Sequence, residues 1–322
     1  MRYRTLGRTG LSVSEIGFGA WAIGGSWGEQ KESDSVAALH RALDLGCNFV
    51  DTAAGYGDGR SERIIGGVLK ERKETVFVAT KTPPSPGPWP PTPYCRDDER
   101  YSEGYIRANV EKRLRNLGTE TIDLLQLHTW TRAWNADPRP FEILRKLQAE
   151  GKVRFIGLST PEHDQNSVVD LMRDGWLDTV QVIYNVFEQE PAAELLPVAR
   201  ATNVGVIVRV VFDEGVLTGK YRKDSRFPPD DFRSRYFAGD RLERAVARTE
   251  GVREEIEGSG LTLPQAAIRF ALAHPAVSTV ITGIRNVAQS EANCAASPPM
   301  SEDLLLRLRG HAWVRGFWYS GR

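Results

Sequence analysis

Eight short apolar runs, each set apart from the next by a longer stretch, constrain this chain more than any other feature. The runs span 12–19, 47–51, 76–81, 122–128, 155–159, 179–183, 204–210 and 278–282. Short runs rich in Val, Ile, Leu and Phe read as strands buried on both faces, the habit of parallel sheets. Helical patterns lie between them at 33–45, 61–71, 101–117, 140–150, 166–174, 192–201 and 263–273, and another at 286–296 follows the last run. Parallel neighbours need crossover connections, which are right-handed and usually helical. The alternation predicts an α/β fold, and eight strands predict a closed (β/α)8 TIM barrel. A miscount would leave an open, doubly wound sheet. A chain of 322 residues fits one such barrel domain over 1–322.

Two connections are longer than the usual barrel loop. The segment 82–100 carries seven prolines, and 212–261 holds a further helical pattern near 242–257. Long loops on a barrel rim tend to wall a binding site. The tail 311–322 is rich in aromatic residues and is expected either to fold back over the barrel or to meet another subunit.

Composition narrows the function classes. Lys plus Arg (42) equals Asp plus Glu (42), so no net positive field argues for nucleic acid or an anionic membrane. No apolar run is long enough to span a bilayer, and MRYRTLGRTG lacks a signal-peptide core. Cys47, Cys95 and Cys294 show neither metal-ligand nor disulfide spacing, so no metal is expected and a reducing, cytoplasmic setting is. Monomer and homo-oligomer both stay open.

Three polar residues close apolar runs: Asp51, Lys81 and His128, with Tyr56 in the loop after the first. Singly, each has a plain structural reading: a turn cap, a solvated strand end, a satisfied core histidine, a packed loop aromatic. Jointly, on one barrel they emerge at the C-terminal rim, where barrel enzymes do their chemistry. An acid, a phenol, an amine and an imidazole together make a proton-transfer site.

Several stretches resemble the aldo-keto reductase superfamily: GFGAWAIGG (17–25), FVDTAAGYGDGRSERIIG (49–66), VATK (78–81), DLLQLH (123–128), IGLS (156–159), VQVIYN (180–185), EGVLTGKY (214–221) and ITGIRNVAQSEAN (281–293). They run in one order over nearly the whole chain and look most similar to the bacterial branch that also resembles potassium-channel β subunits. The resemblance implies a barrel that binds an extended nicotinamide dinucleotide without a Rossmann domain. It also implies that Asp51, Tyr56, Lys81 and His128 are catalytic.

The residues themselves support those roles. Reduction of a carbonyl creates an alkoxide, which needs a proton donor and groups that hold developing charge. Tyr56 is the expected donor, its phenol pKa lowered by the Lys81 ammonium. Asp51 pairs with Lys81 and holds it in place, and His128 orients the substrate oxygen. For the cofactor, the resemblance implies Gly19 and Trp21 at the first strand's end, and Ser159, Thr160 and Gln181 at the nicotinamide carboxamide. Thr160 departs from the family's asparagine, and Arg209 from its stacking aromatic; a cation there disfavours the oxidised nicotinamide. Leu217, Gly219 and Lys220 match the loop that covers the pyrophosphate. Gly283 and Arg285 precede a helix N-terminus suited to anions, and Arg285 grips a 2′-phosphate, which selects NADPH over NADH. Gln289 and Asn293 approach the adenosine half.

Trp21, Trp27, Trp89, Trp130 and Tyr94 are candidates to line an aromatic substrate pocket for a sugar or other small carbonyl compound, with about half of the tryptophans expected to serve as core or loop packing instead. The leading expectation is an NADPH-dependent aldehyde or ketone reductase. Two alternatives are a nucleotide-sensing regulatory subunit with slow turnover, and a lyase or isomerase that uses the nucleotide transiently. His128 argues against a carbon–carbon double-bond reductase, in which that position is acidic.

Overall fold

The computed structural model describes residues 1–25, 27–295 and 298–313. The chain opens with β1 (Tyr3–Thr5) and β2 (Ser12–Ser14), which pair antiparallel. Then come β3 (Ile16–Gly19), α1 (Glu32–Asp44), β4 (Phe49–Asp51), α2 (Arg60–Lys70) and β5 (Phe77–Thr82). Next are α3 (Asp97–Arg100), α4 (Glu103–Leu117), β6 (Ile122–Leu127), α5 (Arg139–Ala149), β7 (Val153–Ser159), α6 (Val169–Arg173) and β8 (Thr179–Ile183). The last third holds α7 (Leu195–Ala201), β9 (Gly205–Arg209), α8 (Phe232–Tyr236), α9 (Arg241–Glu255), α10 (Leu263–Ala273), β10 (Val277–Gly283), α11 (Val287–Cys294) and α12 (Glu302–Arg309).

Strands β3 to β10 close into one parallel barrel, with β10 paired to both β3 and β9. The predicted (β/α)8 barrel is therefore the fold. One expected strand divides: 12–19 splits at Glu15, with its first part in the β1–β2 hairpin and its second in the barrel. Glu15 is the pivot because its carboxylate is bound by Arg2 (2.8 Å) and Arg4 (2.7 Å) from the hairpin. The hairpin brings Leu6, Leu11 and Val13 against Phe49, Ala79, Leu124, Ile207 and Ile281, which plug the barrel interior from below. That apolar plug leaves the opposite end for polar side chains.

The long loop 212–261 is more ordered than its pattern predicted: it carries α8 as well as α9. Trp313 begins the aromatic tail by donating its N–H to the Phe187 carbonyl (2.8 Å), and its ring meets the guanidinium of Arg248 at 4.6 Å. Tail residues 314–322 lie outside the described residues. Among the described residues, no helix is long and apolar enough to cross a membrane.

Candidate active site

Asp51 ends β4, Lys81 lies one residue from the end of β5, and His128 follows β6. Side chains alternate faces along a strand, so these three share the inward face with Phe49, Ala79 and Leu124 below them. Polar residues above an apolar layer are thereby gathered at the mouth. Asp51 and Lys81 are withdrawn from solvent, with side-chain exposures of 2% and 0%.

The Lys81 ammonium donates to Asp51 Oδ1 at 2.5 Å and to the Thr52 carbonyl at 2.8 Å. Its third hydrogen is left for Tyr56, whose ring centre lies 5.2 Å from Nζ. The other Asp51 oxygen, Oδ2, accepts from Gln181 (2.7 Å) and from Gln126 (3.2 Å). Burial of a carboxylate is tolerable only when its lone pairs are satisfied this fully.

The expected lowering of the Tyr56 pKa is corrected by the structure. Burial pushes the phenol above its ordinary value, and the Lys81 and Arg209 charges together with a Lys81 hydrogen bond only partly oppose this, while the Asp51 charge adds to it. Tyr56 is thus a neutral acid across the physiological range, with an ammonium ready to receive charge left on its oxygen. For His128, burial first and then the charges of Lys81 and Arg209 hold the pKa well below the usual value. Its imidazole is neutral at neutral pH and can donate one N–H. The Tyr56 and His128 rings stand edge to face, 6.0 Å apart.

The loop that carries Tyr56 is fixed by close packing. A Cβ on Gly24 would lie 2.7 Å from the Tyr56 carbonyl carbon, and one on Gly57, at φ +63°, would lie 2.2 Å from the Gly24 oxygen. Glycine at both positions lets the loops touch. Ser61 then donates to the Ala20 carbonyl (2.9 Å), and buried Glu62 accepts from Thr80 (2.7 Å) beside Lys81. Glu62 also meets Arg113 at 2.7 Å, so the pair ties α2 to α4 behind the site.

Aromatic side chains surround the phenol. The Trp21 ring lies 6.3 Å from Tyr56, 5.3 Å from Trp27 and 5.4 Å from Phe232 of α8, and Trp89 lies 5.3 Å from His128. Two expected wall residues are elsewhere. Trp130 is 0% exposed, packed against Trp134 and Phe141 with its indole N–H on Asn135 Oδ1 (2.8 Å), so it belongs to the core outside the barrel. Tyr94 is 96% exposed and reaches solvent.

The residues expected at the cofactor divide by what they already hold. Gly19 pairs with both Asp51 and Gly283 at the rim, where a Cβ on Gly19 would lie 2.8 Å from the Thr282 carbonyl. Ser159 is buried at the end of β7. Thr160 points its hydroxyl at the Gln181 carbonyl (3.2 Å), and Arg209 donates to the Thr160 carbonyl (2.9 Å) and pairs with Glu162 (3.5 Å). The Gln181 amide, expected at the carboxamide, is on Asp51 instead. Leu217 has its side chain in the core and its N–H on the Phe212 carbonyl (3.0 Å), so it has neither to offer a ligand. Gly219 turns the chain at φ +73°, ahead of Lys220. Gln289 accepts the Arg285 N–H (2.8 Å), and Asn293 reaches the Gly283 carbonyl (3.4 Å).

Around α11 a positive field gathers. The Lys220 pKa is lowered by loss of water and then by the charges of Arg233 and Arg285. Arg233, from α8, stacks on Trp27 at 4.6 Å and is held by Asp231 (2.6 Å). The sequence reading missed Gln126, Phe232 and Arg233. For Gln126 a signal existed: an amide inside an apolar strand, two residues before His128 and so on the same face. The α8 residues gave none, because nothing local shows that the long loop returns across Trp21 and Trp27.

Comparison with known proteins agrees with the barrel fold. The chain is 32% identical over 298 residues to the aldo-keto reductase YhdN of Bacillus subtilis, covering 91% of this chain and 87% of that one. It is 30% identical to a probable voltage-gated potassium channel subunit beta of Arabidopsis thaliana, covering 92% and 91%. Among solved structures, the glycerol dehydrogenase AKR11B4 of Gluconobacter oxydans superposes with a TM-score of 0.77 at 31% identity, covering 94% and 92%. The model of the aldo/keto reductase family matches residues 15–310, and the chain belongs to that family.

Proposed function

We propose that the protein reduces an aldehyde or ketone to an alcohol with NADPH, with Tyr56 as the proton donor. The observation that carries this reading is the buried Asp51–Lys81 pair beneath Tyr56, with His128 beside the phenol.

The groups at the mouth fit a dinucleotide. Lys220, Arg233 and Arg285 would meet its phosphates near the N-terminus of α11, where Asn286 caps the Gln289 N–H (2.9 Å). Ser159, Thr160 and, once released from Asp51, Gln181 would hold its carboxamide, with the Arg209 guanidinium beside the ring. When bound, the dinucleotide supplies the hydride.

The chain's own residues do the rest. Trp21, Trp27, Trp89 and Phe232 offer flat apolar surface to a small carbonyl compound and keep water from its reacting carbon. The neutral His128 imidazole donates its N–H to the carbonyl oxygen and sets its direction. Tyr56 passes its proton to that oxygen as charge develops, and Lys81 stabilises the phenolate left behind. Asp51, gripped by Lys81 on one oxygen and by the Gln126 amide on the other, keeps the ammonium from turning away. In the oxidative direction Tyr56 acts as base.

The test is a panel of aldehydes, ketones and sugars offered with NADPH and followed by absorbance at 340 nm, a wavelength set by the reduced cofactor. Loss of absorbance with at least one carbonyl, matched by alcohol formed, is the expected result. Tight nucleotide binding with no turnover across the panel would overturn the reading.

A further inference from the structure

We propose that Gln30 is a specificity-determining residue: it holds the Arg285 guanidinium by one edge and leaves the other edge for the 2′-phosphate of NADPH. The inference rests on the reading that Arg285 is the 2′-phosphate residue.

Gln30 lies in the segment between β3 and α1, far along the chain from Arg285, yet the two form a reciprocal pair. Arg285 Nε donates to Gln30 Oε1 at 2.8 Å, and Gln30 Nε2 donates back to the Arg285 carbonyl at 2.9 Å. The same amide nitrogen also reaches Ser35 Oγ (3.0 Å), a buried hydroxyl on α1, so the glutamine is anchored to the helix beneath it. Arg60 donates to the Gln30 carbonyl (3.1 Å), and Arg285 Nη2 donates to the Glu29 carbonyl (2.5 Å). The main chain of Arg285 is fixed as well, through its N–H on Gln289 Oε1.

A guanidinium has five N–H donors in a rigid plane. Gln30 and Glu29 occupy the Nε–Nη2 edge. Among the described residues nothing takes the end of the fork, Nη1 with the second Nη2 hydrogen, and two parallel N–H groups match two phosphate oxygens. An unrestrained arginine loses much rotamer freedom on gripping a ligand, whereas one already held by its side edge loses little. Lys220 and Arg233 beside it add charge of the same sign. A ribose hydroxyl, with one oxygen and no net charge, makes little use of such a fork. The benefit of holding Arg285 should therefore fall on NADPH and not on NADH.

Dissociation constants for NADPH and NADH, read by fluorescence titration on the full-length protein, its Gln30→Ala and Arg285→Ala variants and the double variant, test this. Arg285→Ala should weaken NADPH about thirtyfold and NADH by less than about threefold. Gln30→Ala should weaken NADPH about fivefold, leave NADH unchanged, and add nothing in the Arg285→Ala background. Equal weakening of both nucleotides by Gln30→Ala, or tighter NADPH, overturns the inference while Arg285 keeps its role. Equal losses for both nucleotides in Arg285→Ala overturn the underlying reading, and this inference with it.

Discussion

Tyr56→Phe should lower kcat for carbonyl reduction by about a hundredfold to ten-thousandfold, the range that a positioned proton donor contributes. The change removes one oxygen from a ring whose neighbours, Trp21 and His128, contact its faces and edge and not its hydroxyl alone. The loop stays tied through Gly24, Gly57 and Ser61, so the site keeps its shape. Nucleotide affinity should therefore stay within about twofold, and steady-state rates beside a binding titration will separate the two effects. A variant that keeps a tenth or more of the wild-type kcat would mean that another group delivers the proton.

Lys81→Met should also be severe, in two ways. The ammonium is the largest influence lowering the Tyr56 pKa against the effect of burial. Without it the phenol becomes a weaker acid and its anion loses its counter-charge, so kcat should fall about a thousandfold. The second effect is on stability. Asp51 is left buried with two amide donors but no cation, and breaking a buried pair from one side typically costs about 3 kcal/mol or more. A melting temperature lower by several degrees should accompany the lost activity. An unchanged melting temperature would show that Asp51 does not depend on this partner.

How far the sequence predicts this arrangement depends on which distances matter. The barrel was legible because each strand announces itself locally, as apolar residues in a short run. The meeting of Asp51, Tyr56, Lys81 and His128 was legible for a related reason: a polar residue that ends a buried run, as Asp51 ends β4, has few places to point except the rim. Pairing was not legible. Residues 12–14 look like the start of a barrel strand, and it is their antiparallel pairing with residues 3–5 that places them in the hairpin below. Trp130 follows a strand end just as His128 does, but two residues later on the chain it turns outward into the Trp134 and Phe141 cluster. The direction of the Tyr56 pKa was misjudged because sequence names the nearby ammonium but not the degree of burial. The Gln181 contact with Asp51 likewise needed a third strand's position. Arg233 and Gln30 depend on segments distant in sequence meeting over the mouth, which no local pattern encodes.

The central claim is that the neutral, half-buried phenol of Tyr56, and not the neighbouring imidazole, supplies the proton. The pH dependence of kcat for carbonyl reduction, with nucleotide and substrate saturating, tests it most directly. Tyr56 donates only while protonated, and burial holds its pKa above the ordinary phenol value. The rate should therefore stay level from about pH 6 to about pH 9 and fall only at higher pH. His128 ionises well below its usual value, so an imidazolium donor would become scarce as pH rises through the acid range. A rate already falling about tenfold per unit near pH 6 would contradict the account and assign the proton to His128.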